Sequence, residues 1–331
     1  MTLIKHCWYL LIFAISWCTT FIVTRKIIPW LRRRGVVGKD LNKPGHPEVP
    51  EMGGVTIVIG VYIGYLVAFM GRKYLKICPI DCVTIMAVVA TILMVAMVGI
   101  FDDLKGLRKV TKAYIIMVAA LPMMTLQMSR TTVMIPFVGE VEVGLFYPLI
   151  LIPLGITGAA NGFNMLGGFN GLEVSLGIVA MGALAVIAYY LNEITALVIL
   201  IVAMGALLGI LYYNRYPARI FIGDTGTFTI GTIIAVATII GKFEFAGIIV
   251  MIPHFIELLV KGINRFPSRG WQGFYKEGKL YWYHPRSVGL CQWIMKITNG
   301  ITEVRLVMVL VILEAMCGGI AISVTYFGLG K

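Results

Sequence analysis

The stretch "VTIMAVVATILMVAMVGIFDDLKGLRKVTK", residues 83–112, decides the fold class. From Val83 to Phe101 it holds nineteen residues without an ionisable side chain. A membrane-spanning helix needs roughly 20 predominantly apolar residues, so this run predicts a span. Asp102 and Asp103 follow directly, and four basic residues come next. Because neighbouring carboxylates repel each other, a pair at the end of a span predicts a positively charged partner.

The rest of the chain is as apolar as this stretch. It has 331 residues, of which 59% are hydrophobic, and a mean hydropathy of +0.90. Ordinary soluble domains are about 45–50% apolar, so this chain holds more apolar surface than a soluble core hides. We therefore predict a single all-α polytopic membrane domain over residues 1–331. Ten segments are apolar enough to be spans: 7–24, 54–70, 83–101, 113–129, 146–160, 174–191, 195–212, 226–241, 246–260 and 306–327.

The basic residues predict the orientation of these ten spans. One alternating set of connections carries 21 of the 28 Lys and Arg residues, and the opposite set carries the remainder with the termini. Since cytoplasmic loops carry the excess of Lys and Arg, we expect the rich set to be cytoplasmic and both termini to lie outside. Topology and anionic lipid explain most of the net charge of +12. We expect no nucleic-acid partner, because the chain has no soluble basic domain.

Four polar stretches interrupt the apolar pattern on the predicted cytoplasmic side. Pairs of carboxylates suit a hard cation such as Mg²⁺, and lysine suits phosphate, so their combination is typical of phosphoryl-group chemistry. Simpler roles compete: solvated loops, Asn-Gly turns, and helix capping by Asp224. The stretches are "GKDLNKPGHPEVPEMGG" (38–54), "GIFDDLKGLRKVTK" (99–112), "NGFNMLGGFNGLE" (161–173) and "YPARIFIGDTGTFTIG" (216–231).

The longest connection, residues 261–305, is also the most aromatic. Its Trp and Tyr residues are of the kind that anchor a protein at the membrane interface. The sequence leaves two structures open here, a short hairpin around "KEGK" (276–279) or an amphipathic element on the membrane.

Taken together, the motifs resemble those of the polyprenyl-phosphate N-acetylhexosamine-1-phosphate transferases. These ten-span enzymes move a sugar-1-phosphate from a UDP-sugar onto a lipid phosphate. "GIFDDLKGLRKVTK" resembles their double-aspartate motif, "NGFNMLGGFNGLE" their asparagine motif and "FIGDTG" their third aspartate motif. Bacterial members tend to carry "DGxDGL" where this chain has "GGFNGLE". That form is similar to the archaeal and eukaryotic branch, which acts on UDP-GlcNAc and dolichyl phosphate at the first step of lipid-linked oligosaccharide assembly.

The resemblance implies roles for eleven residues and a Mg²⁺ cofactor, which Mn²⁺ can replace. In the last predicted cytoplasmic loop the family usually has a histidine-containing basic motif, whereas this chain has "FPSRG". His284 does not have the matching spacing, so Arg269 is the candidate there. The implied catalytic residues are Asp102, Asp103 and Lys112; the metal ligands are Asn164 and Asp224; the substrate contacts are Glu51, Asn161, Gly168, Asn170, Phe221 and Arg269.

Several alternatives stay open at this point. The sugar can be another UDP-N-acetylhexosamine and the acceptor undecaprenyl phosphate, and an aspartate can form a covalent intermediate. A transporter is disfavoured because only Glu257 and Glu314 lie well inside predicted spans, whereas transporters place ionisable groups near the midplane. The resemblance further implies an integral membrane location, the cell membrane if the source is archaeal, and a possible homodimer.

Overall fold

Helices dominate the chain. The computed structural model describes residues 2–75, 77, 80–266, 270 and 272–329. Seven of its helices are long: α1 (Thr2–Arg33), α2 (Gly54–Met70), α3 (Cys82–Lys105), α7 (Leu172–Tyr190), α8 (Ile194–Asn214), α9 (Gly223–Ile240) and α13 (Glu303–Leu329). The shorter ones are α4 (Lys109–Ala119), α5 (Leu121–Leu126), α6 (Ile152–Met165), α10 (Glu244–Val250), α11 (Ile252–Ile263) and α12 (Leu290–Ile297). Single π-helical turns occupy Gly71–Leu75 and Tyr147–Leu151.

Proline residues begin two of the short helices. Pro122 lies in the first turn of α5 and Pro253 in the first turn of α11, where a missing backbone N–H does no harm. The axes of α10 and α11 differ by 63° at this break. Pro253 thus starts a new helix with a new direction in the middle of the predicted span 246–260.

Each of the ten predicted spans coincides with a helical segment, which confirms the all-α membrane class. Within the described ranges, eight helices are long and apolar enough to cross a membrane, and nine if α10 and α11 count as one broken span. The predicted span 146–160 is divided between the π-helical turn and α6. The number ten and the side on which the termini lie stay predictions.

Three small antiparallel hairpins lie in the described parts of the connections. They pair β1 (Val37–Lys39) with β2 (Glu48–Pro50), β3 (Thr132–Ile135) with β4 (Gly139–Glu142), and β5 (Phe274–Lys276) with β6 (Lys279–Tyr281). The last of these confirms the hairpin around "KEGK". In β1 and β2, Gly38 pairs with Val49, which orders the first polar stretch immediately before α2.

Helix α9 forms the centre of the bundle. Every side chain from Thr225 to Ile239 is buried, and the helix packs among α2, α3, α6 and α8. Glycine permits this closeness: a Cβ on Gly99 of α3 would lie 2.4 Å from the Thr225 Cα, and one on Gly54 2.1 Å from the Gly226 nitrogen. The start of α9 therefore contacts the end of α3 and the start of α2. We call this end of the bundle, where the four polar stretches lie, the motif end.

Candidate active site

Lys112 lies between two carboxylates at the motif end. Its Nζ is 2.6 Å from an Asp102 oxygen and 2.9 Å from an Asp224 oxygen. The chain turns at Gly106, whose φ of +66° favours glycine, before α4 begins and carries Lys112 back toward α3. The positively charged partner predicted for the double aspartate is thus Lys112, whereas Lys109 donates to the Phe266 carbonyl.

The two adjacent aspartates have different partners. Asp102 is buried, accepts the Leu107 backbone N–H with one oxygen and binds Lys112 with the other. Asp103 faces the start of α9, where it accepts the Asp224 N–H at 2.6 Å and the Thr225 hydroxyl at 2.6 Å. Since the first N–H groups of a helix have no partner within it, Asp103 serves as a cap supplied by another helix.

Asp224 is therefore free of the capping role that its position suggested. Its second oxygen accepts the Asn164 side-chain amide at 2.7 Å. Asn164 in turn lies 3.0 Å from the Thr227 hydroxyl. The third and fourth polar stretches thus meet through their two predicted metal ligands.

A polar cavity of about 280 Å³ adjoins this cluster. Its lining includes Glu51, Asn164, Gly168, Phe221 and Asp224, five of the predicted site residues. Backbone hydrogen bonds of 2.8 Å to Pro50 and Gly53 fix Phe221. The cavity brings residues from three of the four stretches to one opening, and the second stretch adjoins it through the contact of Lys112 with Asp224.

Two predicted site residues are placed elsewhere. Asn161 donates to the Thr157 carbonyl of its own helix and is not among the cavity-lining residues. The Asn170 side chain is buried behind the cavity, where it accepts from Lys43 and the Ala218 N–H. Asn170 therefore orders the loop that presents Gly168. Arg269 lies outside the described residues.

A buried network around Asn170 includes residues that the motif comparison did not place in the site. Glu303 accepts the Asn170 backbone N–H at 2.7 Å and the Lys43 ammonium at 2.7 Å, and Asp40 binds the same ammonium at 2.9 Å. Burial alone would lower the pKa of Lys43, but its hydrogen bonds with Glu303 and Asp40 outweigh burial and raise that pKa above 10.5. The sequence signal that could have identified Glu303 was an acidic residue just before the last predicted span, 306–327.

Glu51 also lines the cavity. Its carboxyl is close enough to Gly38 that a Cβ there would lie 3.0 Å from Oε2. Burial, and then the negative charge of Asp103, raise the pKa of Glu51 above its ordinary value of 4.5. The cavity is therefore a place where excess negative charge is unfavourable until a cation enters.

The donor atoms fit the implied Mg²⁺. Asp224, Asn164 and Thr227 bring carboxylate, amide and hydroxyl groups to the cavity wall. Across the described part of the chain, no group of three or more His, Cys, Asp or Glu side chains forms a metal cluster. One or two carboxylates suffice for Mg²⁺ when substrate phosphates and water complete its shell. The site therefore suits a cation that arrives with a phosphorylated substrate.

The comparisons with known proteins identify the family of the chain. Residues 85–242 match the model of glycosyl transferase family 4. A protein of Saccharolobus solfataricus is 32% identical over 95% of both chains. The chain belongs to glycosyl transferase family 4. The family match spans α3 to α9 and so contains Asp102, Asp103, Lys112, Asn164 and Asp224.

The relatives within family 4 carry informative names. The Saccharolobus protein is provisionally named a UDP-N-acetylglucosamine–dolichyl-phosphate N-acetylglucosaminephosphotransferase. A Dictyostelium discoideum protein with this name is 26% identical over 92% of this chain and 86% of its own. A Bacillus subtilis protein, provisionally named an undecaprenyl-phosphate N-acetylglucosaminyl 1-phosphate transferase, is 26% identical over 77% of this chain and 68% of its own. The motif resemblance is confirmed, and the family-4 chain is an integral membrane protein.

Proposed function

We propose that this chain transfers GlcNAc-1-phosphate from UDP-GlcNAc to dolichyl phosphate and releases UMP. The observation that carries the proposal is the Lys112 ammonium held between Asp102 and Asp224 beside a polar cavity. An ammonium so placed can neutralise phosphate charge where the charge develops. The names of the archaeal and eukaryotic relatives supply the sugar and the lipid.

The reaction exchanges one phosphoanhydride for another. An oxygen of the lipid phosphate forms a bond to the sugar-bearing phosphorus, and the bond from that phosphorus to the bridging oxygen breaks. The electron pair leaves with UMP, and the product is dolichyl-diphosphate-GlcNAc. Because little covalent chemistry is required of the protein, positioning and charge neutralisation account for most of the catalysis.

Different residues would provide the positioning and the charge neutralisation. Asp224 and Asn164 would hold Mg²⁺, which neutralises pyrophosphate charge when bound. Lys112 binds a phosphate oxygen, and Asp102 fixes the direction of Lys112 through their 2.6 Å contact. The second pKa of a phosphate monoester is about 6, so the lipid phosphate is already mostly dianionic at neutral pH. A strong general base is therefore unnecessary, which supports a positioning role for Asp102.

The cavity wall supplies nucleotide and sugar contacts. Phe221 offers an aromatic face to the uracil ring. Gly168, whose φ of +98° favours glycine, has no side chain to keep the nucleotide away from the backbone. Glu51 lies where a sugar hydroxyl can donate to it. The excess of Lys and Arg on this side supports a cytoplasmic motif end, where a UDP-sugar is met.

A second acceptor is the main competitor. The Bacillus relative is named for undecaprenyl phosphate, and the chemistry at the phosphorus is the same for both lipids. Neither Lys112 nor Asp224 distinguishes them, since both act on phosphate groups.

The test is UMP release by purified protein in detergent. UDP-GlcNAc, UDP-GalNAc and UDP-glucose are each combined with dolichyl or undecaprenyl phosphate, with and without Mg²⁺, beside Asp224→Asn. We expect release that needs lipid and metal, is greatest with UDP-GlcNAc and dolichyl phosphate, and collapses in the variant. Equal or greater release with undecaprenyl phosphate would favour the second acceptor. No release from folded protein with any pair would refute the proposed function.

A further inference from the structure

An ion pair is buried in α11, outside the cluster just described. The Lys261 Nζ lies 2.9 Å from a Glu257 oxygen one turn earlier, and the side chains are only 6% and 3% exposed. Removing charges from water costs free energy that a single ion pair rarely repays. A pair in this position therefore calls for contacts beyond its own attraction.

Lys261 makes such a contact with α6. Its ammonium also donates to the carbonyl of Met165, the last residue of that helix. The final carbonyls of a helix lack partners within it and carry partial negative charge, so a lysine there stabilises the helix end. Met165 directly follows Asn164, whose amide binds Asp224. The end of α6 that carries the candidate metal ligand is thus held by a side chain of another helix.

Glu257 extends this connection to a further element. Its second oxygen accepts the backbone N–H of Leu290, the first residue of α12. The preceding Gly289 approaches so closely that a Cβ there would lie 2.4 Å from Glu257 Oε1. The ion pair therefore joins α6, α11 and the segment that follows the aromatic hairpin.

We propose that Lys261, oriented by Glu257, is a positioning residue that fixes the end of α6 so that Asn164 meets the metal-bound pyrophosphate. Lys261 acts through the Met165 carbonyl, whereas Asn164 faces the cavity. This inference rests on the proposed function. It assigns a role in metal and nucleotide binding to α11, which lies outside the four polar stretches.

The competing explanation is an anchor that only stabilises the fold. An anchor would lower thermal stability in its variants and leave the properties of the folded fraction unchanged. A positioning residue changes metal affinity in folded protein, since groups that orient metal ligands typically contribute about 10–100-fold to affinity.

The experiment titrates Mn²⁺ into protein with UDP and follows free Mn²⁺ by electron paramagnetic resonance. The protein is compared with its Lys261→Met, Lys261→Arg and Glu257→Gln variants, and kcat and KM are measured in parallel. We expect Lys261→Met to weaken Mn²⁺ binding and lower kcat, each by about tenfold, with little change in the KM for lipid. Lys261→Arg keeps a charged donor and should restore most of the affinity. Glu257→Gln keeps an acceptor for Leu290 and should fall between the two.

Lys242→Met, which removes an exposed lysine at the opposite end of the bundle, is the matched control. If Lys261→Met does not fold, Lys261→Gln keeps a donor without the buried charge and should show a smaller loss in the same direction. Mn²⁺ affinity and kcat within twofold of the parent in folded Lys261 variants would overturn the inference alone. A parent that neither binds Mn²⁺ nor releases UMP would overturn the proposed function, and this inference with it.

Discussion

The Asp103 carboxylate of α3 accepts the backbone N–H of Asp224 at 2.6 Å, at the start of α9. One acid of the double-aspartate motif thus positions the helix that carries the third aspartate. Its neighbour Asp102 binds Lys112 instead. Adjacent residues on a helix point in directions about 100° apart, so the pair can serve two purposes at once. Two consecutive residues of the motif thus have different roles: Asp103 caps α9, and Asp102 orients Lys112.

Replacing each aspartate should therefore have a different consequence. Asp103→Ala removes a helix cap, and such losses cost about 0.5–2 kcal/mol of folding free energy. Asp102→Asn keeps an acceptor for the Leu107 N–H but loses the charge that orients Lys112. We expect the first variant to lower the thermal midpoint and the second to lower kcat more than the midpoint. Fluorescence-detected unfolding and UMP release measure the two quantities, and equal effects of both variants would contradict the division of roles.

Lys112 is expected to contribute most of the neutralising charge from the protein. Lys112→Met leaves Asp102 and Asp224 without their shared cation, and loss of one transition-state contact of this kind costs about 10²–10³-fold in kcat. Lys112→Arg keeps the charge but does not fit between carboxylates spaced for an ammonium, so it should recover only part of the rate. Wild-type kcat in Lys112→Met would remove Lys112 from the mechanism.

Glu51 should make the protein less stable as the pH rises. Its pKa in the folded state is raised above 4.5, so the folded protein binds this proton more tightly than the unfolded chain does. Stability from this group is complete below pH 4.5 and is lost as the pH passes through the higher folded-state pKa. Glu51→Gln removes the loss, so it should melt higher than the parent at neutral pH and equally at low pH. Thermal midpoints measured across this pH range test the sign, and a lower midpoint for the variant at neutral pH would contradict it.

Close contact of α3 with α9 should be sensitive to one methyl group. A Cβ on Gly99 would lie 2.4 Å from the Thr225 Cα, so Gly99→Ala must separate the two helices. Overpacking of this kind typically costs about 1–3 kcal/mol, and the shift should also reduce activity by moving Asp224. Gly319→Ala in α13 meets no atom within 4 Å and serves as the control. Equal thermal midpoints and activities of the two variants would show that the contact is looser than the structure indicates.

The helices could be predicted from the sequence because the length of an apolar run, and the charged residues that end it, are local properties of the sequence. All ten predicted segments are helical, and the alternation of their ends brought Asp102, Lys112, Asn164 and Asp224 to one site. The positively charged partner of the double aspartate was also predictable. The hairpin around "KEGK" was one of the two structures left open by the sequence, and Gly278 there permits the positive φ of a tight turn.

Other features depend on packing between distant helices. The capping of α9 by Asp103 depends on how closely α3 packs against α9, and Gly99 meets Thr225 from a distant part of the sequence. Asn170 matches a substrate motif, yet Lys43 and Glu303 hold its side chain behind the cavity, and Glu303 lies 133 residues away. The Asn161 side chain donates to a carbonyl of its own helix, whereas the Asn164 side chain faces α9 and donates to Asp224.

The proposed mechanism requires that the β-phosphate is transferred to the lipid together with the sugar. The most direct test uses UDP-GlcNAc with a radiolabelled β-phosphorus, dolichyl phosphate, Mg²⁺ and purified protein, followed by separation of lipid from water-soluble products. We expect label in the lipid fraction, unlabelled UMP in water, and loss of both in Lys112→Met. Label that stays in water as UDP while the sugar enters the lipid would contradict the account, because only the sugar would then have been transferred.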